Sequence, residues 1–194
     1  MTASEGRSLP DTQWPRWEVF KQDAEGKPHQ AVGSVHAADA EHALLMARSV
    51  HVRRPAAASL WVAPADAVYA VTAEQLTAAG DRDPRGAAPA DASRDGSGPQ
   101  RFLVFRKTSH RRSMTFVDHV GEVDAPGPEA ALAAARVAFP DPPALAWWVV
   151  PASQVVASPA DEAPAWFDPA RSKTYKQQSE YGTLNAGQRK GERS

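Results

Sequence analysis

Apolar and polar positions begin to alternate at Trp17-Glu18-Val19-Phe20, the pattern of a half-buried strand. Pro15 has no N–H to donate, so it suits the start of that strand rather than its interior. Lys21 to His29 is charged and contains Gly26 and Pro28, which predicts a hairpin loop. Gln30 to His36 resumes the extended pattern, so the first two strands are expected to be antiparallel neighbours. Asp39 offers a capping carboxylate ahead of Ala40, Ala43, Leu44 and Ala47, which recur at helical spacing. Arg48, Arg53 and Arg54 stand in or just beyond the last turns, where cations suit the helix dipole, and Pro55 cannot continue the helix. Ser59 to Pro64 predicts a third strand, Val68 to Val71 a fourth short one, and Thr72 to Ala79 a short helix.

The pattern then restarts. Phe102-Leu103-Val104-Phe105 takes the place of Trp17 to Phe20, Arg106 to Arg112 forms a basic loop, and Met114 to Val120 is the expected second strand. Gly127-Pro128-Glu129 opens a helix, since proline at the first helical position is pre-organised for it. Its apolar face is Ala131, Leu132, Ala135, Ala138 and Phe139, and Pro140 ends it. Ala146 to Pro151 matches Ser59 to Pro64. Gly121 follows Gly33 by 88 positions, Arg136 follows Arg48 by 88, and Trp148 follows Trp61 by 87. Three landmarks at nearly one spacing indicate an internal duplication.

The expected fold is α+β: two tandem ββαβ repeats, each a small, mostly antiparallel sheet covered by one helix. One such half is too small to bury much core alone, so the two should pair as an intramolecular pseudo-dimer. The expected organisation is a disordered leader over 1–13, a first repeat over 14–79 and a flexible linker over 80–100. A second repeat follows over 101–160, and an extended C-terminal arm over 161–194. The linker reading rests on Gly, Pro, Ala, Asp and Arg without apolar periodicity.

Twenty-two Lys and Arg stand against 23 Asp and Glu in 194 residues, for a net charge of −1. That balance argues against nucleic acid or an anionic membrane as the main partner. No cysteine is present, which removes disulfides, thiolate zinc sites and cysteine-held iron–sulfur clusters. No apolar run approaches the ~20 residues needed to cross a bilayer as a helix, and the N-terminus lacks a secretory apolar core. A cytoplasmic protein is expected.

His36, Asp39 and His42 lie within one turn and could ligate a metal, and an enzyme or metal protein centred on them is one alternative. The plainer reading is an N-cap flanked by two histidines. The second half supports it, with Asp124, Gly127 and Ala130 in the equivalent places. No glutamate has histidine three residues later, so the Glu-x-x-His pairs of a di-iron bundle are missing. Gly-rich phosphate loops and Gly-x-Ser-x-Gly elbows are missing too. Arg53-Arg54 and His110-Arg111-Arg112 are small basic patches, which leaves a module for small anionic ligands or RNA as a further alternative. Trp14, Trp17, Trp61, Trp147 and Trp148 are expected in the core and on sheet faces, with Trp14 the candidate for exposure to a partner. Trp166, Phe167 and Tyr175, set in polar surroundings, suggest an arm that docks on another surface.

These residues resemble a known family. Trp14-Pro-x-Trp17-Glu-Val-Phe20, Val32-Gly-Ser-x-His36-Ala-Ala-Asp39, Ala43-Leu44, Ala47-Arg48, Arg53-Arg54 and Ser59-x-Trp61-Val62 are similar to the PaaB component of the ring-1,2-phenylacetyl-CoA epoxidase. Trp148-Val-Val150-x-Ala-Ser153-x-Val155-Val-Ala-Ser158 resembles its last strand, and Phe167-Asp-Pro-Ala170-x-Ser172-Lys173-x-Tyr175 its tail. Members are typically half this length, with one ββαβ unit. Here the unit is doubled, the first half lacks the Phe-Asp-Pro-Ala tail, and Asp124 stands where the second half would carry the signature histidine. The resemblance implies a non-catalytic component without cofactor. Such a component bridges the di-iron catalytic A subunit and the related structural C subunit, and the flavin and iron–sulfur E reductase is a further candidate partner. It implies partner-facing roles for Trp14, His36, Arg53, Arg54, Phe167, Asp168 and Tyr175, and a chain that, as a fused dimer, need not pair with a second copy.

Overall fold

The computed structural model describes residues 13–52, 57–78, 98–110 and 116–171. Strand β1 (Arg16–Gln22) begins directly after Pro15 and lies between β2 (Gln30–His36) and β3 (Ser59–Pro64), antiparallel to both. Helix α1 (Ala40–His51) runs between β2 and β3 and lays Ala43, Leu44 and Ala47 on the sheet. Its cap is as expected: Asp39 is extended (φ −151°) and its side chain accepts from the His42 N–H at 2.8 Å. β4 (Tyr69–Thr72) leads into the short helix α2 (Ala73–Ala78).

The same order of elements follows. β5 (Gln100–Lys107) lies between β6 (Asp118–Ala125) and β7 (Ala146–Pro151), with α3 (Pro128–Ala138) burying Ala131, Leu132 and Ala135. α3 starts with Pro128 after Gly127, as its sequence predicts. β6 sits later than the expected Met114 to Val120; Asp118 to Ala125 is mostly polar and partly exposed, so burial gives its strand no clear apolar signal. β8 (Val156–Ala157) and helix α4 (Ala163–Arg171) complete the described chain. The stretch expected as an extended arm therefore contains a helix over its first part. The leader to residue 12, most of the linker, Arg53, Arg54, Arg111, Arg112 and Tyr175 lie outside the described residues.

The eight strands among the described residues join one antiparallel sheet in the order β4-β7-β5-β6-β2-β1-β3-β8. β4 pairs with β7, placing Tyr69 against Val149 and Ala70 against Trp148. β8 pairs with β3, placing Val156 against Val62 and Ala157 against Trp61. Each late strand thus lies on the third strand of the other half. The middle join, β6 to β2, is narrow and centres on Gln30 against Asp118.

Three apolar clusters follow from the alternation of side chains along the strands. Val19, Val35, Leu44, Leu60 and Val62 fill the space under α1. Phe102, Val104, Leu132 and Val149 do the same under α3. The opposite strand faces turn toward one another, so Phe20, Ala63, Leu103, Phe105, Trp148 and Val150 share a central cluster. Phe20 and Phe105 stack there, with centroids 4.2 Å apart and planes at 23°. Burying one such ring contributes about 1.5–3 kcal/mol, which neither half obtains without the other.

The two hairpins carry the same irregularity. Register shifts between Val19 and Phe20 in one and between Val104 and Phe105 in the other. Opposite each lies a glycine with positive φ, Gly33 at 140° and Gly121 at 154°. A Cβ would meet His51 Cε1 at 3.0 Å on Gly33 and Phe139 Cζ at 2.5 Å on Gly121. A ring from the end of each helix rests on the bulge, and only glycine leaves it room.

Candidate functional site

Short elements before and at the start of α1 hold Trp14 on the surface. His36, at the end of β2, donates from Nδ1 to the Trp14 carbonyl at 2.8 Å. The His42 ring stands edge-on to the Trp14 indole, 4.8 Å between centroids at 75°. His42 Nδ1 in turn accepts from the Ala38 N–H at 3.4 Å. Each polar group that sequence suggested as a metal ligand has other work: Asp39 caps, His36 ties down the Trp14 backbone, and His42 supports its ring. Among the described residues no three histidines, aspartates or glutamates converge as a metal site would need. Trp14 stays 55 % exposed.

Downstream on α1 the exposure of apolar side chains continues, with Leu45 at 46 %, Met46 at 37 % and Val50 at 44 %. Spaced at helical intervals from His42, they extend the Trp14 surface along the outer face of the helix. At the same spacing on α3 stand Ala133, Ala134 and Ala138, beside a single exposed Val137. Sequence reasoning missed Leu45, Met46 and Val50. The signal was present, because α1 has more apolar residues than its inward stripe of Ala43, Leu44 and Ala47 can use.

α4 flanks this face. Phe167, expected to face a partner, is instead 2 % exposed and inserts into the chain's own cluster with Val19, Leu44 and Leu60. The cause is simple: α4 folds back over α1, and its one large inward side chain finds core rather than solvent. Arg48 fastens it there, donating to the Ala165 carbonyl at 3.2 Å and lying over the Trp166 ring at 5.7 Å. A cavity of about 170 Å³ remains between Leu45, Arg48, Trp166 and Pro169. Asp168 faces outward. A wider, more open groove of about 470 Å³ lies at Leu76, Thr77, Arg136, Pro140 and Trp147, between α2 and α3.

Two histidines in the central cluster are unusual. His29 stacks on Trp61 at 3.5 Å and 13°, and His119 meets the same indole edge-on at 5.3 Å. Neither Nε2 has a hydrogen-bond partner. Burial, then the nearby His119, pushes the His29 pKa down to about 4, and burial lowers that of His119. Both rings are therefore neutral packing groups near pH 7. They are wedged between aromatics: both meet Trp61, and His119 also lies 5.2 Å from the Phe105 ring.

No helix among the described residues is long and apolar enough to cross a membrane. No solved structure matches this chain. It is 42 % identical over 62 residues to the B component of the 1,2-phenylacetyl-CoA epoxidase of Escherichia coli (strain K12). That alignment takes in 32 % of this chain and 65 % of the relative, less than two thirds of its length. The family model for phenylacetic acid degradation B matches far more, residues 13–85 and 100–188. With both halves matched across most of its length, the chain belongs to the PaaB family.

Proposed function

We propose that this chain is a non-catalytic assembly component of a phenylacetyl-CoA 1,2-epoxidase, serving phenylacetate degradation in the cytoplasm. It acts as an intramolecular pseudo-dimer of two repeats and bridges the di-iron catalytic A subunit and the structural C subunit. Family membership on both sides of the linker and a relative named as the B component of that enzyme support this reading. The strand pairings agree with it: Tyr69 on Val149 is repeated by Val156 on Val62, with 87 positions separating Tyr69 from Val156 and Val62 from Val149.

The observation that carries the reading is the outer face of α1. Trp14, beside His42, and Leu45, Met46 and Val50 farther along α1 leave aromatic and aliphatic area exposed, as protein interfaces do. The counterpart face on α3 is mainly alanine, so the two ends of the bridge differ and can hold different partners. The test is co-purification of the intact chain with the A and C subunits, with the mass of the complex measured. Changing Leu45, Met46 and Val50 together to Ala should weaken association at least about tenfold while moving stability by no more than ~0.5 kcal/mol. Full association of that variant, or no association of the wild type, refutes the reading.

A further inference from the structure

The narrow join at the middle of the sheet pairs residues that are each other's counterparts. Gln30 and Asp118 are 88 positions apart, the spacing that also separates Gly33 from Gly121. The flanking bonds repeat the relation: the Ala31 N–H donates to Val117 O at 2.9 Å and the His119 N–H to His29 O at 2.8 Å. Position 31 corresponds to 119 and position 29 to 117. Gln30 and Asp118 therefore stand where a two-fold axis between identical halves would make a residue face itself. Here they are unlike, and Gln30 Nε2 donates to Asp118 Oδ1 at 2.6 Å.

We infer that the Gln30–Asp118 pair, with His119 against Trp61, is a sorting device that makes the first half pair with the second and not with its own kind. The inference rests on the pseudo-dimer reading. Two second halves would bring two Asp118 carboxylates together in a half-buried site without the Gln30 amide that now donates to one of them, so they repel or one must take up a proton. Two first halves would pair two amides without conflict. They would, however, put Ala31 where His119 now packs on Trp61, leaving a void beside each indole. The unlike pair alone supplies a donor for the carboxylate and a ring for the indole. Phe20 on Phe105 favours all three pairings alike, since it becomes Phe on Phe in each. The partner that fits this surface is thus a second half, which tethering supplies from the same chain, and another first half is disfavoured by chemistry.

The test uses the full-length chain with a protease site placed between Ala79 and Ser97, cleaved after folding. The nicked protein is unfolded in urea and refolded, and native mass spectrometry counts pairs, whose three masses differ. The unlike pair should exceed like pairs roughly tenfold, where random pairing gives about one to one. Asp118→Gln should cut that excess roughly threefold, and Asp118→Gln with His119→Ala should bring it near one to one. If either variant fails to refold, Gln30→Asp, which puts two carboxylates in every pairing and leaves His119 on Trp61, should cut the excess roughly threefold, as Asp118→Gln does. Statistical pairing by the wild type, or sorting unchanged in the variants, overturns the inference while leaving the pseudo-dimer standing. Single halves without any pairs overturn both.

Discussion

Lowering the pH below 6.5 should remove stability through His29, against which burial of Glu18, holding its carboxyl above the usual range, acts in the opposite direction. The ordinary His29 pKa of 6.5 is pushed down to about 4 in the folded chain, first by burial and second by the charge of His119. Between those values the unfolded chain binds a proton that the folded one rejects, so stability falls as pH falls. Above pH 6.5 the effect is nil, and below about pH 4 it is complete. The gap corresponds to about 3 kcal/mol in full and about 2 kcal/mol at pH 5. Burial also lowers the pKa of His119 and His51, which act in the same direction. His29→Phe isolates the first contribution, because a phenyl ring keeps the stack on Trp61 and carries no proton. Urea unfolding followed by tryptophan fluorescence at pH 7.5 and pH 5 should show the wild type losing about 2 kcal/mol more than the variant. A difference below ~0.5 kcal/mol would refute a buried, neutral His29.

Three further expectations follow from packing. Phe20→Ala and Phe105→Ala should each cost about 3–5 kcal/mol, and the double variant should reveal a coupling of ~0.5–1.5 kcal/mol from the stack, read by chemical denaturation. Gly121→Ala should destabilise more than Gly33→Ala, by roughly 1–3 kcal/mol in the first case, since its Cβ meets the Phe139 ring at 2.5 Å against 3.0 Å from His51; equal melting temperatures for the two variants would contradict this. Asp39→Ala should remove about 1 kcal/mol of stability through loss of the cap, with Asp39→Asn restoring most of it in the same denaturation experiment.

Most elements were legible because their signals are local. Gln30–His36, Ala146–Pro151 and the starts of α1 and α3 follow from alternation, a capping carboxylate and a leading proline. The spacing of 88 between Gly33 and Gly121 likewise pointed to matching positions, and both proved to sit opposite a bulge under a ring. What sequence could not supply was which surface meets which. Nothing local tells β4 to leave its own half for β7, because Tyr69–Thr72 would pair as well with any edge. α4 was missed for a related reason: it is nine residues long with Pro169 inside, and Phe167 reads as a solvent-exposed aromatic until α1 is there to receive it. The surface candidates fared according to the same distinction. Trp14 and Asp168 lie outside, His36 supports Trp14, and Phe167 went to the core because a distant helix, not its neighbours in sequence, decided its fate.

The crossing of β4 onto β7 and of β8 onto β3 ties the fate of one end of the polypeptide to the other. A gene split between the halves would encode two products, each holding a strand that belongs on its sibling and each showing a bare edge until they meet. Such an arrangement should melt as one body, so that losing either half would leave the other with an unpaired edge.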